Sequence, residues 1–317
     1  MPNLPSIGFR VSFSFVSDLS IGVRIKQGST VLPFWHSRVK FSPLKIFGSK
    51  PATGESGNHP TREKGFVRPN SNKVQQKDSA ISGIFLADKG QLYDGFNIST
   101  EDVVVDVGCG DGSISLFAAR QKAKVIATDV CPHNVEATRK RLAKSAAREF
   151  EVHQSTSTPL PLADHTATKV ICREVLEHVD DPAAVMKELV RVGAPGATFL
   201  ITVPDPVGEK IQKKIAPAGY WEKPNHVRIF ERDEFAELLE HAGLQVEQRQ
   251  SHGFYWSMWW VLFWAADQEL GEPNKPILDH WAAVWSELMQ TRKGEQIKEV
   301  LDDFMPKSQV LIARKAA

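Results

Sequence analysis

The stretch Val103–Gly112 reads VVVDVGCGDG, a run of valines followed by glycine at three alternate positions. A continuous Val/Ile run is typical of a strand inside a parallel sheet, because helices cover both of its faces. Glycine tolerates the positive φ of a tight turn and lets backbone N–H groups approach a ligand closely. The next segment, Ser113–Arg120, has apolar residues at helical spacing. The sequence therefore predicts a strand, a glycine turn and a helix, the opening unit of a nucleotide-binding α/β sheet.

The spacing of the glycines distinguishes between two kinds of nucleotide ligand. The fingerprint of dinucleotide-binding proteins is G-x-G-x-x-G, and its third glycine would fall on Ser113. The chain instead has G-x-G-x-G shortly after Asp106, and a second predicted strand, Lys124–Asp129, also ends on an acid. A carboxylate at that position can accept hydrogen bonds from the two ribose hydroxyls of an adenosine. A dehydrogenase is disfavoured, because no second nucleotide motif follows.

These features resemble the class I S-adenosylmethionine (SAM)-dependent methyltransferases, over roughly residues 90–246. Two later segments strengthen the resemblance, since Pro159–Asp164 reads PLPLAD and Glu174–Val179 reads EVLEHV. Both look like the segments around the fourth strand in the branch that includes ubiquinone-biosynthesis-type enzymes. The resemblance implies an α/β fold with a Rossmann-like, doubly wound sheet of seven strands, the last one antiparallel beside the fifth. It also implies SAM as the cofactor.

Strand–helix units recur along the chain and predict a parallel sheet with right-handed crossovers. An N-cap acid followed by proline, Asp181-Pro182, marks the start of one helix, and Gly243 marks the end of another. The other predicted helices of the core cover residues 78–93, 132–146, 182–190 and 231–241. The later predicted strands cover residues 150–153, 169–172, 198–203, 244–250 and 308–313.

The N-terminal part of the chain differs in composition from the rest. Up to Gly54 it contains one acid, Asp18, against seven Lys and Arg residues. An acid-poor N-terminus with Arg and Ser is typical of an organellar transit peptide, and a disordered or spurious extension is the alternative. The predicted location is cytoplasmic, or organellar if this segment is a transit peptide. The predicted organisation is an extension over residues 1–72, a SAM-binding core over 73–250, a helical insert over 251–307 and the final core strand over 308–317.

The insert before the last strand holds six of the eight tryptophans of the chain. Its apolar run over residues 254–266 is shorter than the about 20 residues that a membrane-spanning helix needs. The spacing of the tryptophans predicts two helices that form a cap. Three roles remain open for it: an added hydrophobic core, a wall of an apolar substrate pocket, or a weak contact with a membrane surface.

The overall composition limits the kinds of partner. The chain has 317 residues, with 39 basic and 38 acidic side chains and a net charge of +1. No global field therefore favours nucleic acid, and we interpret the basic residues of the helix over 132–146 as a solvated face. The three cysteines form no C-x-x-C pair, which indicates a reducing compartment. No metal-ligand spacing is present, so we expect no metal, and the expected partner is a small molecule of metabolism.

The cofactor half of the site follows from the resemblance. Asp106 would face the ammonium group of SAM, and Asp129 would accept the ribose hydroxyls. In similar enzymes an acid after the third strand accepts from the adenine amino group, but Ser155 stands at this position. The predicted cofactor-binding residues are Asp106, Gly108, Cys109, Gly110, Gly112, Asp129, Val130, Ser155, Thr156 and Arg173.

The acceptor half lies beyond the carboxyl ends of the fourth and fifth strands, where open α/β sheets bind ligands. A histidine just before the helix over 231–241 recurs in similar sequences, and the ordinary pKa of histidine, about 6.5, suits proton removal. His226 is therefore the preferred general base. Glu174 and His178 are further catalytic candidates, although His178 is also interpretable as a histidine bonded to the backbone at a helix start. The predicted substrate pocket consists of Tyr220, Trp221, Arg228 and Trp256.

The predicted function is transfer of a methyl group from SAM to a small, apolar or aromatic acceptor, with O-methylation favoured. Methyl transfer from a sulfonium is an in-line displacement, so the protein mainly has to orient the reactants and exclude water. Two alternatives stay open. One is C-methylation of a quinone-like or lipid substrate at a membrane surface, and the other is a catalytically silent SAM-binding module. The oligomeric state is also open.

Overall fold

A computed structural model describes residues 71–270 and 276–317. The predicted extension over 1–72 lies almost wholly outside these residues. The helices are α1 Ser71–Ile81, α2 Ser113–Arg120, α3 Pro132–Leu142, α4 Pro182–Val192, α5 Pro206–Gln212, α6 Arg232–His241, α7 Phe254–Ala265, α8 Pro276–Leu288 and α9 Gly294–Phe304. The strands are β1 Gln91–Tyr93, β2 Phe96–Asn97, β3 Val103–Val107, β4 Lys124–Asp129, β5 Glu149–Gln154, β6 Ala167–Arg173, β7 Gly193–Pro204, β8 Leu244–His252 and β9 Ser308–Lys315.

A seven-stranded sheet carries the fold, in the order β5-β4-β3-β6-β7-β9-β8. The first five strands in this order are parallel, and β9 pairs antiparallel with both β7 and β8. The strand order changes direction between β3 and β6, and in such sheets ligands bind at the carboxyl ends of the strands beside that switch point. The predicted α/β class is confirmed, with seven strands and the last one antiparallel beside the fifth.

The valine run of β3 contributes to hydrophobic cores on both faces of the sheet. Val105 and Val107 pack in the core that contains Met186 of α4, whereas Val104 packs in the core that contains Phe117 of α2. Successive side chains of a strand point to opposite faces. Because helices cover both faces, no position within the run is available for a polar residue until the acid at its end. This two-sided burial explains why Val103–Val105 contains no polar residue before Asp106.

The predicted helix over 78–93 is wrong beyond Ile81, where α1 ends. Gly83 and Gly90 have φ angles of +73° and +64°, which an α-helix does not accommodate. The following residues form the hairpin of β1 and β2, turning at Asp94-Gly95. An Asp-Gly pair is a strong hairpin signal. The apolar spacing that mimics a helix arises because the hairpin buries its apolar side chains against the core of α2.

The insert forms three helices, one more than predicted, since α9 was not expected. Helices α7 and α8 bring their tryptophans into one buried group, here called the aromatic cluster, which also contains Tyr220. Trp285 and Tyr255 are 1% and 0% exposed. Helix α7 is apolar around its whole circumference because α5, α8 and α9 all contact it. The insert therefore supplies most of a hydrophobic core that is separate from the two cores of the sheet.

A buried ionic cluster joins α1 to the insert. Lys298 Nζ of α9 lies 3.2 Å from Asp78 Oδ1 and 2.5 Å from Asp302 Oδ2. All three residues are at most 5% exposed, and Trp285 Nε1 donates a further hydrogen bond to Asp78. The second oxygen of Asp302 accepts two backbone N–H groups at the start of α7, at 3.1 and 2.7 Å. This cluster thus connects α1, α7, α8 and α9.

The helices of residues 71–270 and 276–317 include none that combines the length and the apolar character required to cross a bilayer.

Candidate functional site

The three glycines of the turn after β3 have different surroundings. A Cβ on Gly108 would lie 2.3 Å from Val175, and a Cβ on Gly112 would lie 2.6 Å from the hydroxyl of Thr138. A Cβ on Gly110 would meet nothing within 4 Å, although its φ of +55° also favours glycine. The outer two glycines therefore allow the turn to pack, whereas the middle one borders open space. This open side of the turn has the form of a cradle for a ligand.

Asp129, at the end of β4, already accepts three hydrogen bonds from the chain. Gly110 N lies 2.8 Å from one carboxylate oxygen. Cys131 N and Asn134 Nδ2 lie 2.8 and 3.2 Å from the other. A carboxylate offers about four acceptor sites. The bond to Gly110 ties this acid to the glycine turn, and about one site is left for a ribose hydroxyl.

Asp106, at the end of β3, is almost completely buried, at 2% exposed. Ser115 Oγ donates to its carboxylate at 2.6 Å. Burial raises the pKa of Asp106 to about 6, although the Ser115 hydrogen bond and the charge of Arg173 oppose the shift. A carboxylate placed in this way could bind a cationic group with little competition from water.

We expect SAM affinity to fall on acidification through about pH 6. Asp106 is ionised above its pKa of about 6 and neutral below it. The neutral form cannot balance the ammonium group, so affinity should drop by up to about tenfold per pH unit below that point. Calorimetric titration with SAM between about pH 5 and pH 8 measures this effect. In Asp106→Asn the affinity should be weaker and flat across the range, and an equally steep fall in that variant would contradict the assignment.

A cavity of about 390 Å³ opens at the carboxyl ends of β4 and β5. Its volume lies within the range of about 300–1,000 Å³ typical of small-molecule sites. The side chain of Val130 is 62% exposed there, so a flat base could cover apolar surface. Hydroxyls stand where an acid is expected, since Ser155 and Thr156 line the wall. The lining residues are Val130, Gln154, Ser155, Thr156, Pro159 and Pro161.

Two further predicted cofactor residues are Cys109, inside the glycine turn, and Arg173, the last residue of β6. Burial, and then the charge of Asp106, raises the pKa of the Cys109 thiol to about 12, so this cysteine is a neutral packing group. The guanidinium of Arg173 lies over the rings of Phe85 and Tyr93, at 5.9 and 5.6 Å. Its Nε is buried and has no hydrogen-bond partner among the described residues. That N–H group could serve a carboxylate of the ligand.

Glu174 is held in an ion pair and is a poor proton acceptor. Its two oxygens accept from Thr202 Oγ1 at 3.0 Å and from Lys307 Nζ at 2.7 Å. Burial by itself would raise its pKa, but the charge and hydrogen bond of Lys307 lower it to about 2. The predicted catalytic role of Glu174 therefore has little support from this geometry, because a base must take up a proton near neutral pH.

The 3-10 turn Leu176–His178 brings two residues towards His226. Ligand atoms of Glu177, His178 and His226 lie within 4.8 Å of one another. Glu177 is 1% exposed, and neither carboxyl oxygen has a hydrogen-bond partner within the described residues. Burial, and then the charge of Glu174, raise the pKa of Glu177 well above its ordinary value. These residue types could hold a divalent cation. Sequence spacing did not indicate this group, because His226 comes from a distant segment.

Each of the two ring nitrogens of His226 has a neighbouring polar group. Nδ1 lies 2.7 Å from Glu209 Oε2, and Nε2 lies 3.5 Å from the hydroxyl of Tyr220. The ring also meets His178 edge-on, with 4.9 Å between centroids. His178 Nδ1 lies 3.2 Å from the carbonyl oxygen of Pro224, so His178 is bonded to the backbone, which is one of its two predicted interpretations.

The four predicted pocket residues lie in three different places. Tyr220 and Trp221 contact each other and His226 through their rings. Trp256 contacts Tyr255 and Trp259 within the insert. Arg228 Nη2 donates to the carbonyl of Asp180 at 2.8 Å and therefore secures a loop.

Helix α5 and the residues that it positions were not predicted from the sequence. A signal was present, because Asp205-Pro206 repeats the N-cap and proline pattern of Asp181-Pro182. Helix α5 carries Glu209, which contacts His226. Lys307, the partner of Glu174, had no local signal.

Comparison with known proteins adds evidence on the family. The family model described as Methyltransferase domain matches residues 85–249, more than half of the chain. A ubiquinone biosynthesis O-methyltransferase of Xylella fastidiosa is 31% identical over 156 residues, which cover 45% of this chain and 61% of the relative. The enzyme of that name from Vibrio cholerae is 26% identical over 154 residues, covering 45% of this chain and 60% of the relative. The chain thus spans about three fifths of the curated relatives it matches.

A solved SAM-dependent methyltransferase of Methanosarcina mazei has 17% identity and a TM-score of 0.45, with 69% of this chain and 94% of that chain covered.

The family match includes the glycine turn, both acids at the strand ends and the turn that carries Glu177 and His178. The chain therefore belongs to the family of methyltransferase domains, in which S-adenosylmethionine is the methyl donor.

Proposed function

We propose that this protein transfers a methyl group from SAM to an oxygen atom of a small apolar or aromatic acceptor. The observation that carries the proposal is the position of His226, a nearly buried imidazole, 9% exposed, at the carboxyl edge of the sheet. Val227 N, next to it, donates to Glu177 O at 2.9 Å. Val175, two residues before Glu177, packs against Gly108. The contacts through Val227, Glu177 and Val175 therefore place a potential base near the glycine turn in the folded protein.

The cofactor half fits SAM. Asp106 would bind the ammonium group, Asp129 a ribose hydroxyl, and Arg173 the carboxylate, while the open side of Gly110 accommodates the ligand. The cavity beside Val130 would take the adenine. When bound, SAM supplies a methyl group on a sulfonium, which is already a good leaving group. The residues of the chain then have to orient the acceptor and remove its proton.

The acceptor half favours an apolar or aromatic molecule. His226 is surrounded by the rings of Tyr220 and Trp221, and Tyr220 in turn contacts Trp260 and Trp264 of the insert. Such rings stabilise flat apolar ligands and exclude water. The curated relatives named above are O-methyltransferases, which supports oxygen as the acceptor atom. His226 would act as the general base that takes the hydroxyl proton.

A second candidate, C-methylation of a quinone-like or lipid substrate at a membrane surface, has support from α5 and the residues after it. Val207, Ile211 and Ile215 are exposed there at helical spacing. Lys213 and Lys214 are exposed beside them. Apolar residues interleaved with lysines are typical of contact with an anionic membrane surface. This candidate requires binding of the protein to anionic liposomes and product methylated at carbon.

Release of S-adenosylhomocysteine, measured over a panel of phenols and other apolar alcohols, tests the proposal. His226→Gln should lower kcat by about 10²–10⁴-fold, with SAM affinity unchanged by calorimetry. Activity equal to that of the parent would exclude His226 as the base. A protein that binds SAM but shows no turnover on any acceptor would be a silent binding module.

A chelator arm of the same assay addresses the group of Glu177, His178 and His226. If His226 acts as a free base, EDTA should leave the rate unchanged. Loss of activity with EDTA, restored by a divalent cation, would instead assign this group to a metal and contradict the general-base role.

A further inference from the structure

Four buried side chains form a continuous hydrogen-bonded chain between the insert and His226. Trp264 Nε1 of α7 lies 3.2 Å from Gln212 Oε1, and Gln212 Nε2 lies 3.4 Å from Glu209 Oε1. The other oxygen of Glu209 lies 2.7 Å from His226 Nδ1. The exposed fractions are 4% for Trp264, 1% for Gln212, 2% for Glu209 and 9% for His226. Water therefore competes little with these bonds.

The direction of every hydrogen bond in this chain is fixed by the two groups that have only one role, the indole N–H of Trp264 and the carboxylate of Glu209. An indole N–H can only donate, so it requires the amide oxygen of Gln212. The amide nitrogen of Gln212 must then face Glu209 and donate to it. An ionised carboxylate accepts only, so the imidazole Nδ1 has to be the donor towards Glu209. Each donor in the hydrogen-bonded chain therefore faces an acceptor, and the carboxylate of Glu209 accepts from both Gln212 and His226.

The consequence for His226 is a fixed tautomer. With the hydrogen on Nδ1, neutral His226 carries its lone pair on Nε2. Nε2 is the ring nitrogen that faces the hydroxyl of Tyr220. The ring of Tyr220 lies between His226 and Trp264, with centroid distances of 5.0 and 4.8 Å. The insert therefore restrains the imidazole by hydrogen bonding and by aromatic packing.

We propose that Trp264, Gln212 and Glu209 are positioning residues that hold His226 with Nδ1 protonated and the lone pair on Nε2, the nitrogen that would take up the acceptor proton. The inference rests on the proposed function and deepens it, because it assigns a role to the tryptophan-rich insert. Through this chain, the insert orients the base in addition to packing beside it. A base in the wrong tautomer presents an N–H group to the acceptor hydroxyl and cannot take up its proton.

Two variants break the chain with small changes of shape. Trp264→Phe removes the indole N–H and keeps an aromatic ring. Glu209→Gln leaves only one side-chain oxygen that can accept a hydrogen bond. In the parent, Gln212 and His226 each donate to a separate oxygen of Glu209. We expect kcat to fall by about tenfold in the first variant and by about 10–100-fold in the second, by analogy with the loss found for groups that orient a metal-binding histidine. The KM of the acceptor and the affinity for SAM should change little.

Trp281→Phe is the matched control. Its indole Nε1 also donates within the insert, to the carbonyl of Tyr255 at 2.9 Å, but it takes no part in the chain to His226. A merely structural role of the insert predicts equal losses in Trp281→Phe and Trp264→Phe. The ¹⁵N chemical shifts of the His226 ring give a direct readout, because they should show Nδ1 protonated in the parent and in Trp281→Phe, and a mixed or reversed tautomer in Glu209→Gln.

The outcomes separate this inference from the proposed function. If His226→Gln is inactive while Glu209→Gln and Trp264→Phe keep the parental kcat and ring shifts, the positioning chain is wrong and the base stands. If His226→Gln is fully active, the base assignment is wrong, yet the ring shifts still report whether Glu209 fixes the tautomer. A parental His226 with Nε2 protonated would overturn the inference directly.

Discussion

Asp129→Ala should weaken SAM binding by about 10- to 150-fold for each hydrogen bond lost, since a bond to a charged group contributes about 1.5–3 kcal/mol. The carboxylate is expected to hold the ribose, and it also accepts the N–H of Gly110. Its removal would therefore leave the glycine turn without its anchor as well. Calorimetric titration with SAM measures the loss.

Asp111→Ala is the matched control for Asp129→Ala. Asp111 is a carboxylate of the same glycine turn, but it bonds to Ser113 and Arg141 at the surface. Its loss changes the net charge by the same amount and should leave SAM affinity within about twofold, since exposed pairs contribute little. Asp129→Asn keeps the size of the side chain and covers the case in which the alanine variant does not fold. A folded Asp129 variant that binds SAM as tightly as the parent would show that the ribose lies elsewhere.

Lys298→Met should lower the free energy of unfolding by about 3–5 kcal/mol, the range for breaking a buried ion pair. The change leaves Asp78 and Asp302 close together and buried without a cation between them. Because Asp302 also accepts the first N–H groups of α7, the loss should extend to the insert. Urea denaturation followed by tryptophan fluorescence reports on this region, since most of the tryptophans lie there.

Lys293→Met makes the same substitution at the exposed N-cap of α9. We expect a change within about 0.5 kcal/mol, as for most surface positions. A loss below about 1 kcal/mol in Lys298→Met would mean that the ionic cluster does not hold α1 to the insert.

Local sequence was sufficient for the backbone that carries the candidate cofactor residues. A valine run, alternate glycines and an acid at a strand end act over about ten residues, through strand period and turn conformation. These rules predicted β3, the turn and α2, and the resemblance supplied the number of strands and the antiparallel last strand beside the fifth. The same local reasoning overextended the helix after Asp78, because apolar residues that pack a hairpin can repeat at helical spacing. The sequence signal against a continuous helix was the presence of Gly83 and Gly90, which have positive φ in the structure.

Tertiary structure alone decided which side chains contact Glu174 and His226. Lys307 neutralises Glu174 from a position 133 residues further along the chain, and Glu209 reaches His226 across 17 residues. Trp264 joins Gln212 across 52 residues. No periodicity links such positions, so the sequence could offer His226 as a candidate base but could not show that Glu209 contacts it. The amino-acid sequence by itself determines where strands end and turns begin, because those are local backbone preferences. Which side chains meet beyond the strand ends depends on how helices from distant segments pack, and only the folded protein specifies that.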